Sequence, residues 1–323
     1  MRAIQVKQAG GVEQLVIQEC PVPLCKPDEV LVQIKVAGIN YIDVYIRKGL
    51  YNPPYYPFIP GKEGSGIVIE VGNNVKDIKK GDRVAFCVGG SGTYAEFAAL
   101  PAHQVIPIPD DLSFEIAAAA MLQGLTAYYL SHKTILLNEN HHILIHAGAG
   151  GVGLLLIQMA KMLGAKVMVT VSTEEKAKLV KTAGADEIVL YTQESFLIKV
   201  MEWTHHQGVN VVYDAVGKTT FEDSLKSLAI RGMLVSYGQS SGFVAPIQLS
   251  QLAEKSLYLT RPNLGHYTQS NVESIEMTTE LFEMIISNHL KILVGQRYPL
   301  AEAATAHADL EARKTIGKSV LMI

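Results

Sequence analysis

Cysteine is scarce in this sequence: Cys20, Cys25 and Cys87 are the only three among 323 residues. A sparse, odd set does not frame a disulfide scaffold and fits a reducing compartment. Blocks of like charge are also missing. Lys and Arg number 28 against 31 Asp and Glu, a formal net charge of −3. That argues against nucleic acid or an anionic membrane as partner, because both are held by clustered basic side chains. No apolar run approaches the ~20 residues of a membrane-spanning helix. Arg2 is followed at once by alternating polar positions, so no apolar signal core opens the chain. A cytoplasmic protein without a membrane anchor is expected.

What the chain does contain is a change of rhythm. Residues 1–110 read as short strands separated by glycine-rich punctuation, including Gly10-Gly11, Gly64-Ser65-Gly66 and Gly72-Asn73-Asn74. The strands fall at 1–7, 30–36, 67–71 and 83–86. Pro53-Pro54 and Pro57 mark an irregular, tyrosine-rich loop. Ser113 can cap a helix through Ala117–Ala120, with Glu115 well placed in its first turn. From His142 onward strand and helix alternate. Strands are expected at 142–146, 166–171, 187–191, 209–213 and 233–237, and helices at 152–163, 173–183, 194–203 and 219–229. A last β-rich run covers 256–260. This alternation implies a parallel sheet covered on both faces. The tail leaves the pattern, with helices at 272–287 and 300–310 and a closing strand at 319–323, and is expected to rejoin the first domain.

The segment His142-Ile-Leu-Ile-His-Ala-Gly-Ala-Gly-Gly-Val-Gly-Leu carries the clearest chemistry. Gly148, Gly150 and Gly153 form a G-x-G-x-x-G set that follows a predicted strand and opens a predicted helix, the context a dinucleotide site requires. Glycines there allow a tight turn and a close approach to a pyrophosphate, which the helix N-terminus then holds. Gly148, Ala149, Gly150, Gly151, Val152 and Gly153 are therefore cofactor-binding candidates. NAD sites place a carboxylate at the end of the second strand, about 20 residues on. Here that strand ends Thr170-Val171-Ser172, and Lys176 follows one helical turn later. NADPH is expected, with Glu174 and Glu175 read as first-turn partners of the helix dipole.

Several longer segments point the same way. They are Gly38-Ile-Asn-Tyr-Ile-Asp-Val-Tyr-Ile-Arg-Lys-Gly49, Val71–Val84, Gly124-Leu-Thr-Ala127, His146–Gly153, Val212-Tyr-Asp-Ala-Val-Gly217 and Gly238-Gln-Ser-Ser-Gly242. Together they resemble the zinc-independent quinone oxidoreductases of the medium-chain dehydrogenase superfamily, the zeta-crystallin-like group, over nearly the whole chain. The resemblance implies an α/β protein: a GroES-like, β-rich catalytic domain from residues 1–124 and 265–323, and a Rossmann domain with a doubly wound parallel sheet from 125–264. It implies a cofactor cleft in which Ser172, Lys176, Tyr191 and Arg313 surround the 2′-phosphate. Asn40, Tyr45 and Thr126 would lie by the nicotinamide, and Gly238, Ser240 and Ser241 would line the groove. It also implies a homodimer through the sheet edge near 256–260.

Zinc-dependent relatives carry G-H-E where this chain has Gly61-Lys62-Glu63, and C-x-x-D where it has Asn40-Tyr41-Ile42-Asp43. An ammonium does not ligate, and an amide replaces a thiolate. The cysteines of a structural zinc lobe are missing between Gly89 and Leu100. The pairs His141-His142 and His205-His206 read as surface histidines, since adjacent residues point in different directions. No metal is expected. A quinone suits such a site, because reduction leaves a phenolate whose conjugate acid has a pKa near ~10. Neutral donors can hold that charge, and Asn40, Tyr45 and Tyr51 are the catalytic candidates. Two other readings stay open. One is reduction of a 2-alkenal or enone. The other is a non-enzymatic NADPH-binding sensor, RNA-binding protein or structural protein on the same fold.

Overall fold

The computed structural model describes every residue except 52, 54 and 88–91. Pro54 of the tyrosine-rich loop, and Gly89 at the start of the cysteine-free stretch, lie outside the described residues. The chain divides into two compact units, Met1–Leu125 with Thr268–Ile323, and Thr126–Tyr267.

In the second unit six parallel strands form one sheet. Their order is Glu187–Leu190, Lys166–Val171, His142–Ile145, Val209–Asp214, Leu228–Ser236 and Tyr258–Thr260. The chain's first strand in this unit lies in the middle, and the sheet grows outward from it in both directions, the doubly wound Rossmann arrangement. Helices Gly151–Met162, Glu174–Thr182, Phe196–Trp203 and Phe221–Lys226 connect the strands. Leu144, Met168, Val189, Val212 and Leu234 share a buried cluster with Phe196 and Phe221. A sheet covered on both faces needs such near-continuous apolar strands.

One connection departs from the pattern read above. The helix expected over 219–229 stops at Lys226, and the next strand begins at Leu228 rather than 233. The register explains it. Val209 pairs with Leu228 and Val211 with Met233, so residues between them bulge from the ladder, with Arg231 in a left-handed conformation at φ 63°.

The first unit is built on a seven-stranded sheet. Along its path run Val294–Pro299, Lys318–Met322, Glu29–Ile39, Glu63–Val71, Arg83–Cys87 and Val105–Pro107, with Phe97–Pro101 pairing to Glu29–Ile39. The long strand Glu29–Ile39 is shared. Its first half pairs with Phe97–Pro101 and its second half with the tail strand Lys318–Met322. Ile4, Val32, Ile34, Val68, Phe86, Tyr94 and Leu321 fill the core. The tail strand Val294–Pro299 has no counterpart in the sequence reading, because Gly295 and Pro299 flank only a short polar stretch. Gly64-Ser65-Gly66, read as punctuation, instead lies inside strand Glu63–Val71. The reason is space. A Cβ on Gly64 would meet Val36 O at 2.8 Å, and one on Gly66 would meet Gln33 O at 2.1 Å. These glycines let two strands close on each other where the register shifts between Ile34 and Val36.

The obstacle at Gly66 is backbone, which cannot move aside cheaply. Gly66→Ala should destabilise the protein by about 2 kcal/mol or more, read as a lowered urea midpoint. An unchanged midpoint would show that the strand relaxes freely at this point.

Candidate active site

The candidate residues fall into two groups, one in each unit. In the second unit, strand His142–Ile145 ends in His146, which is buried and fixed between Thr170 Oγ1 at 3.0 Å and Ser224 Oγ at 2.9 Å. The chain then turns through Ala147, at φ 55°, into helix Gly151–Met162. The three glycines do different jobs. A Cβ on Gly148 would meet Val169 Cβ at 2.9 Å, and one on Gly153 would meet Ala147 O and Gly148 O at 2.6 Å. Both are required by packing within the protein. Gly150 is different: among the described residues its one neighbour within 4 Å would be Ala147 O at 3.3 Å. A side chain there would enter the space above the turn, where the unpaired N–H groups of the helix start suit an anion. That is the cradle a pyrophosphate fits.

Strand Lys166–Val171 ends without a carboxylate, and Thr173 caps helix Glu174–Thr182 by accepting from Lys176 N. Tyr191 N donates to Val171 O at 3.2 Å, and Thr192 Oγ1 donates to Ser172 O at 3.3 Å. Ser172, the first turn bearing Lys176, and Tyr191 thus meet at the ends of neighbouring strands. Thr126 is buried within helix Phe114–Tyr128. Gly238, Ser240 and Ser241 form the turn after strand Leu228–Ser236. A Cβ on Gly238 would strike Ala215 O at 2.6 Å, and Ser240 and Ser241 donate their N–H groups to Ala215 and Val216. Two supports of this turn escaped the sequence reading. Asp214 accepts from Val216 N, Gly217 N and Thr220 Oγ1. Arg261 donates to Ser236 O, Gly238 O and Gln239 Oε1. Arg313, the remaining candidate for the phosphate, lies in the first unit after helix Ala303–Glu311.

In the first unit Asn40 is buried at the N-cap of helix Tyr41–Arg47, where it forms a capping box with Asp43. Tyr45 lies one turn on and is buried. Its ring packs against Tyr41 at 5.3 Å and Tyr51 at 5.4 Å between centroids, so Tyr45 and Tyr51 are neighbours. The Asn40 side chain is enclosed by charge. Its Nδ2 donates to Glu63 Oε1 at 2.5 Å, and its Oδ1 accepts from Lys318 Nζ at 2.8 Å. Lys318 also pairs with Glu63 Oε1, and Glu63 Oε2 accepts from Leu122 N at 2.5 Å.

A second buried chain of hydrogen bonds leads away from Asn40. Its backbone N–H and Tyr94 Oη both donate to Asp43 Oδ2, at 2.9 and 3.0 Å. Tyr94 Oη lies 3.1 Å from His307 Nε2, and His307 Nδ1 lies 3.1 Å from Arg47 NH1. Arginine can only donate, so Nδ1 accepts and the proton of the neutral ring sits on Nε2. Burial, reinforced by the Arg47 charge, pushes His307 down to about 3. Burial pushes Asp43 up to about 6, against the pull of its hydrogen bond from Asn40 and the charge of Lys318. None of Asp43, Glu63, His307 and Lys318 received a role from the sequence. Glu63 and Asp43 lie within quoted motifs, but Lys318 meets Glu63 across 255 positions, and no local pattern signals that.

Zinc does not fit this donor set. The oxygens of Glu63, Asn40 and Ile39 that face inward already share one cation, the Lys318 ammonium. A second positive charge, on half-buried Lys62, lies close enough to Asp43 to raise its proton affinity while burial lowers it further. Among the described residues no three His, Cys, Asp or Glu side chains converge as a metal site would require.

Comparison with known proteins places these groups in a family. Residues 26–110 match the alcohol dehydrogenase GroES-like domain, and residues 151–282 match the family described as zinc-binding dehydrogenase. A quinone oxidoreductase of Pseudomonas aeruginosa is 44% identical over 322 residues, covering 99% of both chains. A 2-haloacrylate reductase of a Burkholderia species is 37% identical, over 99% of this chain and 98% of the relative. The structure of Escherichia coli quinone oxidoreductase complexed with NADPH superposes with a TM-score of 0.98 at 43% identity, covering all of both chains.

The His307 environment sets a pH dependence. A histidine held neutral in the fold contributes stability above its unfolded pKa of ~6.5 and loses it as pH falls towards the folded value. Asp43 runs the other way: its raised folded pKa favours the fold at low pH and is lost as pH rises through about 6. His307→Gln keeps one donor and one acceptor while leaving Asp43 in place, so the difference between the two proteins isolates the histidine. Between pH 6.5 and 5 the natural protein should lose on the order of 1–2 kcal/mol more than His307→Gln, measured by urea unfolding. Parallel pH curves would mean that the ring is not kept neutral.

Proposed function

The chain belongs to the quinone oxidoreductase family, within the dehydrogenases that carry a GroES-like domain, and on that premise we propose that it reduces quinones with NADPH and without a metal. The observation that carries the reading is the Asn40 side chain, a neutral amide set where zinc-dependent relatives have a thiolate and locked among charged partners. Bound NADPH supplies the hydride. The glycine turn 148–153 and the turn 238–241 hold its pyrophosphate and flank its groove. Ser172, Lys176, Tyr191 and Arg313 take the 2′-phosphate, and Asn40 and Thr126 steady the nicotinamide end. The acceptor oxygen that gains charge meets an N–H of Asn40, with Tyr45 and Tyr51 completing a neutral wall. A phenolate needs no stronger acid than this, since its conjugate acid titrates near ~10. Water delivers the last proton.

Activated alkenes are a second acceptor class. The 2-haloacrylate reductase among the relatives supports it, and an enolate is held by the same neutral donors. The non-enzymatic readings have no comparable support. Strand Tyr258–Thr260 lies at the sheet edge with Tyr258 exposed, and we assign it the pairing of two copies into a homodimer. No described helix is long and apolar enough to cross a membrane.

NADPH oxidation at the nicotinamide band, with matched quinones and enals as acceptors, tests the reading. Quinones should give the larger kcat/KM; a clear preference for enals would move the chain to the second class. Asn40→Ala should lower turnover roughly tenfold, and more for quinones that are harder to reduce. A loss confined to NADPH affinity would give Asn40 to cofactor placement. Lys176→Ala should weaken NADPH about tenfold or more and leave NADH nearly unchanged, since a charged hydrogen bond is worth ~1.5–3 kcal/mol. Equal losses for both cofactors would show that Lys176 does not read the phosphate.

A further inference from the structure

An amide side chain can present either its oxygen or its nitrogen, and the two differ by a half-turn that costs little in itself. At Asn40 the surroundings forbid that half-turn. Lys318 can only donate, and it meets Oδ1; Glu63 can only accept as a carboxylate, and it meets Nδ2. Turning the amide over would set N–H groups against the ammonium and the carbonyl against the carboxylate, two like-with-like contacts in a buried place. Gln123 Nε2 also points to Oδ1, at 3.5 Å. The amide oxygen is therefore fully engaged, and among the described residues Nδ2 has one N–H bonded to Glu63 and one left over.

The pair that imposes this is itself costly. Lys318 and Glu63 side chains are 1% and 0% exposed, and a buried ion pair brings little or no net stability compared with apolar side chains. The space for it is reserved: a Cβ on Gly38 would lie 2.3 Å from Glu63 Oε1. The ammonium's three N–H groups are matched by three acceptors, Ile39 O at 3.0 Å, Asn40 Oδ1 and Glu63 Oε1. None is left to give to a substrate.

We propose that Lys318 and Glu63 are positioning residues for the reduction, fixing the Asn40 amide so that one N–H, and never the carbonyl, faces the acceptor oxygen. The pair acts through Asn40 alone. Because it rests on the reading of Asn40 as the donor to the acceptor, its test is a comparison that includes Asn40. Lys318→Met with Glu63→Gln removes both charges together and leaves no unpaired ion. Asn40→Ala, this double variant and the triple combination are compared with the natural enzyme by kcat at saturating NADPH over a graded quinone series, by NADPH affinity from nicotinamide fluorescence, and by circular dichroism.

The double variant should keep its fold and bind NADPH within about twofold, while kcat falls about three- to tenfold, most for the quinones hardest to reduce. Adding Asn40→Ala to it should cost less than about twofold more, because the amide is already misdirected. A folded double variant with undiminished kcat overturns the proposal, and so do losses that multiply in the triple variant, since a merely structural pair would act independently of the amide. Should the double variant fail to fold, Lys318→Gln with Glu63→Gln carries the test, because the two new amides can each donate or accept and so no longer oppose the half-turn; the same fall and the same non-additivity are required of it. A natural enzyme that oxidises NADPH with no quinone at all would overturn the functional reading instead, a distinct result.

Discussion

Two opposite charges with no access to water need each other and need further partners, because the desolvation of each costs several kcal/mol even after the protein relaxes. Lys318 and Glu63 meet that demand with backbone from two places at once. Ile39 O ends the long shared strand and Leu122 N belongs to helix Phe114–Tyr128, while Lys318 itself opens the tail strand paired along Val36–Ile39. The first unit is closed through this point. Gly38, Gly64 and Gly66 give the room, and the capping box of Asn40 and Asp43 fixes where helix Tyr41–Arg47 begins. The Asn40 amide is thus held in place by the protein's own ions.

The Rossmann unit was legible in the sequence because its signals are local. Strand, glycine turn and helix follow one another within a dozen residues from His142, and the missing carboxylate after Val171 can be read directly. Its one misreading, the segment 227–233, arose where a bulge interrupts the ladder; a bulge depends on the neighbouring strand and leaves little trace in its own residues. The first unit was harder. Gly64 and Gly66 look like turn residues and serve as strand residues, because what they accommodate is the carbonyl of another strand. The Asn40 amide could be named as a candidate from its type and place. What gives it direction, the charges at 63 and 318, could not, since pairing over such a separation has no periodicity to reveal it. His307 and Tyr94 escaped for the same reason.

The chemistry separates along the same line. In the proposed reaction, binding of the cofactor would draw on backbone: N–H groups at a helix start, a turn braced by Asp214 and Arg261, and glycines that keep side chains out. Activation of the acceptor would draw on side chains whose donors and acceptors are counted and nearly all used. A neutral donor in such a setting is preorganised, and its contribution to a developing anion exceeds what the same amide would offer in water. On that reading a weak acid suffices, because a phenolate's conjugate acid titrates near ~10.

The position of Lys318 has a consequence for the order in which the molecule can be made. Thr126–Tyr267 is one unbroken stretch, so the Rossmann unit leaves the ribosome as a single piece. The first unit does not. Its opening 125 residues emerge early, with Glu63 aimed at a counter-charge that is translated 255 residues later, and at a strand that does not yet exist. Until that strand arrives the carboxylate must remain hydrated or take up a proton, and the sheet edge along Val36–Ile39 stays bare. The half of the enzyme that begins first is the half that finishes last.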